Sequence, residues 1–483
     1  MTEILTPIEQ IIDVRTQKLK KLELAGVNPF PAISPQSTSI KIILDKFLSL
    51  EIGASSPDKF SVNGRIISMR DMGKACFINI NDATGKIQLY IKKDQLEGDS
   101  FVLFKETVDI GDFINVSGLP FRTRTGELTL QVFSWQFLSK AIRPLPEKWH
   151  GLKDVETRYR QRYLDLIANP DVKDVFVKRS VIISTFRNVL EQKGFLEVET
   201  PIMQSIPGGA AARPFKTFHN ALSIELFMRI APELYLKRLV VGGLEKVYEI
   251  GRNFRNEGID RTHNPEFTML ELYQAYADYN TMMDICETLI SSAAKVVGFE
   301  IKTPFKRVRL FDLLQEYTGR DVRAAFESGK LKELAIELKL DVAPDASDKK
   351  IIDAIFDQRA LNKLIEPIFV LDYPSVHSPL AKPKTSDPVI AERFELYING
   401  QEIANAYSEL NNPIIQRERF LEQVSNKAKG DEEAQPYDDD YIIALEHGLP
   451  PTGGLGIGID RLVMFLTNTE SIREVILFPL LRP

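Results

Sequence analysis

Between Glu245 and Tyr276 the chain sets out an arginine, an imidazole, an aromatic ring, carboxylates and a phenol at spacings that could serve one ligand. Val247-Tyr248-Glu249-Ile250 reads as a strand leading into Gly251-Arg252-Asn253-Phe254-Arg255-Asn256-Glu257. If the strand runs that far, Arg255 and Glu257 share a face, because side chains alternate. A polar loop with Gly258, Arg261, His263 and Pro265 follows, and the next strand puts Phe267, Met269, Glu271 and Tyr273 on one face. Such an antiparallel pair makes a bed for a nucleotide: guanidinium on phosphate, ring against base, carboxylate accepting from an exocyclic amine. A solvated face with ordinary cross-strand ion pairs explains the same residues.

A second segment adds to this. Gly453-Gly454-Leu455-Gly456-Ile457-Gly458-Ile459-Asp460-Arg461 is a glycine-punctuated strand entering the apolar helix Leu462-Val463-Met464-Phe465. Glycines let a ligand approach the backbone, and an arginine at the helix start is placed to meet a polyphosphate. Tight strand packing accounts for the glycines equally well.

The elements that must hold these residues are legible in outline. Thr6, Pro7 and Glu9 open a helix with a capping box, and Gly26 and Pro29 end it. From Phe60 the period shortens: 60–69, 75–81, 85–92, 112–118 and 127–138 read as strands with glycines near the turns, and 94–107 as a short helix. Five strands with an inserted helix are compatible with an oligonucleotide-binding barrel. Arg143-Pro144-Leu145-Pro146-Glu147-Lys148-Trp149 reads as a stiff linker. Beyond it, 171–193 is an apolar-periodic helix carrying Val175, Phe176, Ile182, Ile183, Phe186 and Leu190, and Phe195–Thr200 alternates like a strand up to Pro201. Strands and helices then mix without βαβ alternation, which predicts α+β with an antiparallel sheet.

Composition excludes several classes. At 483 residues the chain is too long for one core. A net charge of −6 argues against a surface built wholly for nucleic acid; the first 150 residues lean basic and the rest acidic, so any polyanion site is a local patch. Cys76 and Cys286 cannot form a Cys-rich zinc site and read as buried small hydrophobes. No apolar run suggests a membrane span, and Glu3, Glu9 and Asp13 with no basic-then-apolar opening argue against a secretory signal. A cytoplasmic protein is the expectation.

Arg255-Asn256-Glu257 with His263 and Phe267 resembles the second signature of class II aminoacyl-tRNA synthetases, and Gly454–Arg461 the third. The helix and strand ending at Pro201 look like the first, which in that class builds the dimer interface. From about residue 60 onward the chain is similar to bacterial-type lysyl-tRNA synthetases (class IIb). The runs Ile206–Phe215, His263–Thr268 and Glu446–Pro451 are the specific ones.

The resemblance implies an α+β class II antiparallel-sheet catalytic domain preceded by an OB-fold barrel. It divides the chain into an N-terminal helical segment (1–58), an OB-fold anticodon-binding domain (59–141), a linker (142–170) and a catalytic domain (171–483) with an insertion at about 296–392. It also implies a homodimer through the segment ending at Pro201. ATP would be bound by Arg255, Glu257, His263, Asn264, Phe267 and Arg461, with Arg255 and Arg461 catalytic and Arg461 on the γ-phosphate side. Magnesium would sit on Glu395 and Glu402. An Asn399-Gly400 hairpin turn would pair Tyr397 with Glu402 and bring both carboxylates to one face, suiting a hard cation.

The amino-acid pocket would comprise Gly209, Glu233, Arg255, Glu271, Tyr273, Asn405 and Glu409. Three buried carboxylates repel one another unless the ligand brings two ammonium groups, which favours lysine over the Asp and Asn of related enzymes. Simple alternation would nonetheless turn Glu402 away from Asn405 and Glu409, so a bulge near Ala404–Ala406 or a helix around Ser408 is expected. Arg261-Thr262 precedes His263 where some family members place an arginine directly, so a phosphate contact there would be absent or re-routed.

In the barrel, the resemblance implies that Arg70, Phe77, Gln88 and Glu127 read the anticodon of tRNA(Lys), Phe77 by stacking. From alternation with Cys76 and Ile78 alone, Phe77 reads as core. The implied activity joins lysine to tRNA through an adenylate, with ATP consumed. Alternatives are an Asp or Asn enzyme of the same class, a ligase placing lysine on a protein, or an RNA-binding module without activity. Region 296–392 carries no assignable chemistry, and His377 is open between core, surface and a place near the tRNA end.

Overall fold

A computed structural model describes residues 6–146, 152–428 and 435–482. Glu3 and the linker residues Glu147 to Trp149 lie outside the described residues. The chain forms two compact units, Met1–Lys153 and Asp154–Pro483.

In the first unit, α1 (Pro7–Leu24) starts at Thr6, whose hydroxyl accepts from the Glu9 N–H while the Glu9 carboxylate accepts from the Thr6 N–H at 2.7 Å. After α2 (Ile40–Lys46) come β1 (Phe60–Asp71), β2 (Ala75–Asn81), β3 (Lys86–Lys92), α3 (Ser100–Thr107), β4 (Phe113–Arg122) and β5 (Leu128–Ser139). The strands close as β1-β2-β3-β5-β4, antiparallel except where β3 meets β5. Val62, Ile66, Cys76, Ile78, Ile80, Leu89, Ile91 and Val116 fill the interior, so alternate residues of each strand face outward.

The second unit begins with α4 (Val155–Arg160) and α5 (Arg162–Ala168), in the stretch expected to be linker. These residues are anchored instead: Arg162 and Asp165 form a fully buried ion pair at 2.6 Å, and Arg162 also donates to the carbonyls of Arg473, Ile476 and Leu477. Next are α6 (Pro170–Gln192), β6 (Leu196–Glu197), β7 (Met203–Gln204), β8 (Lys216–His219), β9 (Ile224–Met228), α7 (Glu233–Val241), β10 (Lys246–Phe254), β11 (Glu266–Ala275) and α8 (Tyr279–Val296). The expected strand 195–200 shrinks to two residues. Only Leu196 and Glu197 find ladder partners, while Thr200 is held by the Glu249 carboxylate.

The region 296–392 supplies β12 (Lys306–Arg309), α9 (Leu310–Thr318), α10 (Val322–Glu327), α11 (Leu331–Glu337), α12 (Asp348–Arg359) and β13 (Ile368–Leu371). Its helices share an apolar cluster, and its strands extend the main sheet. The chain ends with β14 (Arg393–Ile398), β15 (Gln401–Ser408), α13 (Pro413–Ala428), α14 (Asp439–Glu446), β16 (Thr452–Gly458), α15 (Ile459–Thr467) and α16 (Ile472–Val475).

Among the described residues the main sheet runs β12-β13-β14-β15-β16-β11-β10-β6, antiparallel through its centre from β13 to β10. One face packs on α6, α8 and α15 through Ile182, Phe186, Cys286, Leu289, Leu462 and Val463. The opposite face carries the polar residues. Its glycines matter here, because Gly454 pairs with Tyr273 and Tyr407 while Gly456 pairs with Glu271 and Asn405.

Candidate active site

The polar face of the sheet floors a cavity of about 1630 Å³, roofed by the loops after β7 and β10 and by α12 and Tyr373–Ala381. Gly209, Glu233, Arg255, Glu257, His263, Asn264, Phe267, Glu271, Tyr273, Glu395, Glu402, Asn405 and Arg461 all line it. Glu409 does not. It stands behind Gly454, 1% exposed, and a Cβ on Gly454 would run into its carboxylate.

At one end lies an acidic pocket. Glu233 opens α7, and Gly209 backs onto it with φ +87°, where a Cβ would sit 2.8 Å from that of Glu233. The Tyr407 hydroxyl donates to Glu233 Oε1 at 2.6 Å. The Tyr273 hydroxyl is 3.3 Å from Glu271 Oε2. Burial, then the nearby Glu233 charge, pushes the Glu271 carboxyl up to about 8, although Arg255 and Arg229 oppose the shift. Among these neighbours Glu271 therefore holds a proton at neutral pH.

Behind the pocket wall lies a charge that the sequence reading missed. Lys237, one turn after Glu233 on α7, is fully buried, 2.6 Å from Glu233 Oε1, and ion-paired with Glu409 Oε2. Burial alone would lower the pKa of its ammonium, yet Glu233 and Glu409 raise it and keep it charged. The expectation that three carboxylates meet without a resident cation is thus corrected: with Lys237 the set sums to −1 while Glu271 keeps its proton and to −2 once all three carboxylates ionise. Helical spacing from Glu233 was the available signal, but an i,i+4 Glu–Lys pair reads as a surface pair in sequence.

At the other end are the basic and aromatic groups. β10 ends at Phe254, short of the expected strand through Glu257. Arg255 N–H still donates to the Pro265 carbonyl at 2.9 Å, after which Asn256 N–H turns to Arg213 and Glu257 N–H back to Arg255. Arg255 and Glu257 are therefore not alternate residues of one strand. Arg255 lies over the Phe267 ring at 5.1 Å, and Glu257 sits in the loop above.

Arg461 opens toward the cavity because Asp460 fixes the start of α15. The Asp460 carboxylate accepts from the Thr268 N–H and from Arg179, each at 2.6 Å. Arg461 reaches the Glu402 carbonyl at 2.9 Å and His263 Nε2 at 3.0 Å, and His263 Nδ1 meets Asp260 at 2.8 Å. Against the effect of partial burial, the Thr262 N–H and the His263 ring hold the Asp260 carboxyl down to about 2. Arg261 is directed away, to Glu470 at 2.6 Å.

Between the two ends stand Glu395 and Glu402. Asn399 and Gly400 adopt φ +50° and +68°, the tight turn expected, and Tyr397 pairs with Glu402. The ladder then shifts, so that Leu396 pairs with Ala404 and Glu395 with Asn405. The bulge is at Ile403, just before the stretch expected, and no helix forms at Ser408. It brings Glu402, Asn405 and Tyr407 to one face, the inward turn at Glu409 following from the same parity.

Glu395 accepts from the hydroxyls of Tyr373 at 2.8 Å and Tyr397 at 2.5 Å, and from Arg393. Burial, and next the Glu395 charge, raises the Glu402 pKa. Two neighbouring carboxylates on one face form a donor pair fitting a hard divalent cation with phosphate oxygens. Among the described residues no group of three or more His, Cys, Asp or Glu side chains is placed to hold a metal ion by itself.

His377 lines the same cavity, where burial and then the Lys349 and Arg393 charges depress its pKa to about 4.

In the barrel Phe77 faces outward, opposite to Cys76 and Ile78, which corrects its reading as core. Its ring is 4.9 Å from that of Tyr90, which is 6.1 Å from Phe121, giving an outer aromatic row that the sequence reading did not extend past Phe77. Arg70 pairs with Phe77 in the β1–β2 ladder and is exposed; Gln88 accepts from Thr129 at 2.9 Å; Glu127 is exposed just before β5.

Comparison with known proteins agrees with these two units. The family model for tRNA synthetases class II (D, K and N) matches residues 154–482, and that for an OB-fold nucleic acid binding domain matches residues 60–138. The lysine–tRNA ligase of Pelotomaculum thermopropionicum is 53% identical over 491 residues, covering 99% of this chain and 96% of that one. The lysine–tRNA ligase of Carboxydothermus hydrogenoformans is 52% identical over 99% of both chains. That of Aquifex aeolicus is 54% identical over 88% of this chain and 73% of its own.

Proposed function

The chain belongs to the class II tRNA synthetases of the D, K and N group, and on that premise we propose how its cavity carries out a lysine–tRNA ligase reaction. The observation that carries the reading is the acidic pocket opening into the same cavity as Arg255, Phe267 and Arg461. Glu233 Oε2 accepts from no described residue and would take the α-ammonium of lysine. Glu271, with Tyr273, and Glu409 behind them would meet the ε-ammonium, while Gly209 keeps the wall thin and Asn405 orients the substrate. Arg255 would hold the α-carboxylate beside the ATP α-phosphate.

ATP would lie along the basic half, its base on Phe267 once Arg255 swings to phosphate, with Glu257 and Asn264 reading polar edges. Asn264 Oδ1 is buried without a hydrogen-bond partner, as a ligand-reading group would be. Arg461, steadied by His263, would meet the γ-phosphate. Glu395 and Glu402 would hold magnesium, which when bound neutralises phosphate charge. The lysine carboxylate, already ionised, attacks the α-phosphate in line and pyrophosphate leaves, so no general base is needed. Positioning and charge neutralisation by Arg255 and Arg461 lower the barrier. A terminal ribose hydroxyl of tRNA then attacks the adenylate carbonyl and AMP departs.

Arg70, Phe77, Gln88 and Glu127, with the row Phe77–Tyr90–Phe121, would read the anticodon of tRNA(Lys) on the barrel. Val177, Val181, Leu196, Ile202 and Met203 are exposed on α6 and the segment around Pro201 and would be covered by a second copy. No helix among the described residues is long and apolar enough to cross a membrane. A place in the cytoplasm belongs to the proposed ligase reading, since its tRNA substrate is used there. The deciding experiment is amino-acid-dependent ATP–pyrophosphate exchange followed by charging of a tRNA panel. Lysine alone should support exchange, and charging should be confined to tRNA(Lys). Exchange with aspartate or asparagine instead would refute the pocket assignment.

A further inference from the structure

We infer that Lys237 is a positioning and specificity residue: its buried ammonium is a fixed counter-charge that holds Glu233 and Glu409 in place and sets at two the number of ammonium groups the pocket accepts. The inference rests on the lysine-ligase reading and deepens it.

Three observations carry it. First, Lys237 is 0% exposed and lies outside the cavity wall, so it is not a surface ion pair, and as a cation it cannot itself receive a substrate ammonium. Second, its ammonium bridges the two carboxylates assigned to opposite ends of the substrate, at 2.6 Å from Glu233 Oε1 and beside Glu409 Oε2. Third, it is enclosed by three phenol rings, Tyr407 at 5.5 Å and Tyr273 and Tyr441 at 5.9 Å, which suit a desolvated cation.

The charge count follows. Once Glu271 ionises on lysine binding, Glu233, Glu271 and Glu409 bring three negative charges and Lys237 one positive, leaving two, the number of ammonium groups on free lysine; its carboxylate is matched separately by Arg255. Glu409 accepts no hydrogen bond of good geometry, so nothing else among the described residues fixes its carboxylate. Without Lys237 the buried set carries one negative charge too many. One carboxylate then takes up a proton or withdraws, and the site for one substrate ammonium is lost.

The test is steady-state exchange kinetics on K237M, which keeps the volume and removes the charge, and on K237A, which leaves room for propylammonium. Removal of a buried ion-pair partner should raise the KM for lysine at least about tenfold while the KM for ATP stays within about twofold. Added propylammonium should restore the lysine KM of K237A and leave the unaltered enzyme unchanged. A purely structural role would move both KM values together and would not respond to the amine. A lysine KM within about twofold of the parent in folded K237M, or folded K237A indifferent to propylammonium, overturns the inference. Should K237A fold only with the amine present, that counts as rescue; should neither variant fold and the amine recover nothing, the role is structural and the inference fails. Lysine-dependent exchange by the unaltered enzyme is the separate control, since its absence would sink the ligase reading and not the role of Lys237.

Discussion

Glu395 on β14 stands directly across from Asn405 on β15, two rungs beyond the Tyr397–Glu402 pair, and this register exists because Ile403 is bulged out of the ladder. One extra residue puts Glu402 and Asn405 on the same face, which strict alternation forbids. The metal-type carboxylates and the amino-acid pocket thereby share one floor.

Deleting Ile403 should therefore separate the two sets. The strand must turn either Glu402 or Asn405 and Tyr407 into the apolar side, where Ile403, Ala404 and Ala406 are now buried. Exchange activity should be lost, and thermal stability should fall by a few kcal/mol at about 1–3 kcal/mol per polar group buried unpaired. Retained exchange in the deletion variant would show that the bulge does not set the site.

Gly454→Ala is a smaller test of the same floor. The added Cβ would lie 2.5 Å from Tyr273 Cε1 and against Glu409, so Tyr273 must move. Overpacking of this kind costs the fold about 1–3 kcal/mol, and the displaced Tyr273 and Glu409 are pocket groups. The melting temperature should fall accordingly and the KM for lysine should rise, as a thermal melt and kinetics would show.

Arg255→Ala should lower exchange by at least about two orders of magnitude, the usual cost of removing a group that neutralises charge in the transition state. Circular dichroism should remain that of the parent, since the Arg255 side chain is only partly buried and its proposed role is on the ligand. Near-normal exchange would refute its assignment.

Glu271 predicts a pH dependence. Its carboxyl, at about 8 among its present neighbours, must ionise to hold an ammonium, so lysine binding near pH 7 should release a proton. The KM for lysine should fall as pH rises from about 6 to about 8, and Glu271→Gln should abolish the proton release seen by calorimetry in buffers of different ionisation enthalpy. The sign for folding is the reverse. Between 4.5 and about 8 the folded state binds one more proton than the unfolded state, so this group makes the free enzyme lose stability as pH climbs through that window. Binding without proton exchange would contradict the assignment.

On the barrel, Phe77→Ala and Tyr90→Ala should each raise the KM for tRNA roughly tenfold or more, stacking being worth about 1–3 kcal/mol per base, while leaving exchange without tRNA untouched. A loss of exchange of equal size would point to misfolding instead.

Much of the site is legible in order along the chain. The alternation of Phe267, Met269, Glu271 and Tyr273, the glycines of β16 and the Asn399-Gly400 turn all express a period of two, which a strand shows in sequence. Boundaries and partners are what periodicity misplaces. Glu257 reads onto a strand that in fact ends at Phe254, and Phe77 reads inward although Cys76 and Ile78 take the barrel's inner face. Residues 155–168 read as linker because their anchor, Arg162 on the carbonyls near Leu477, lies over three hundred positions away.

Periodicity and signature spacing are local properties of the chain, and they suffice for the two-unit plan, the α+β class, the family and most of the groups around the cavity. Three features are decided only on folding: Lys237 among the pocket carboxylates, the position of the expected bulge, at Ile403, and Glu409 behind Gly454. They depend on which distant residues share a buried volume, and the energy of a buried charge is set by that company and not by its neighbours in sequence.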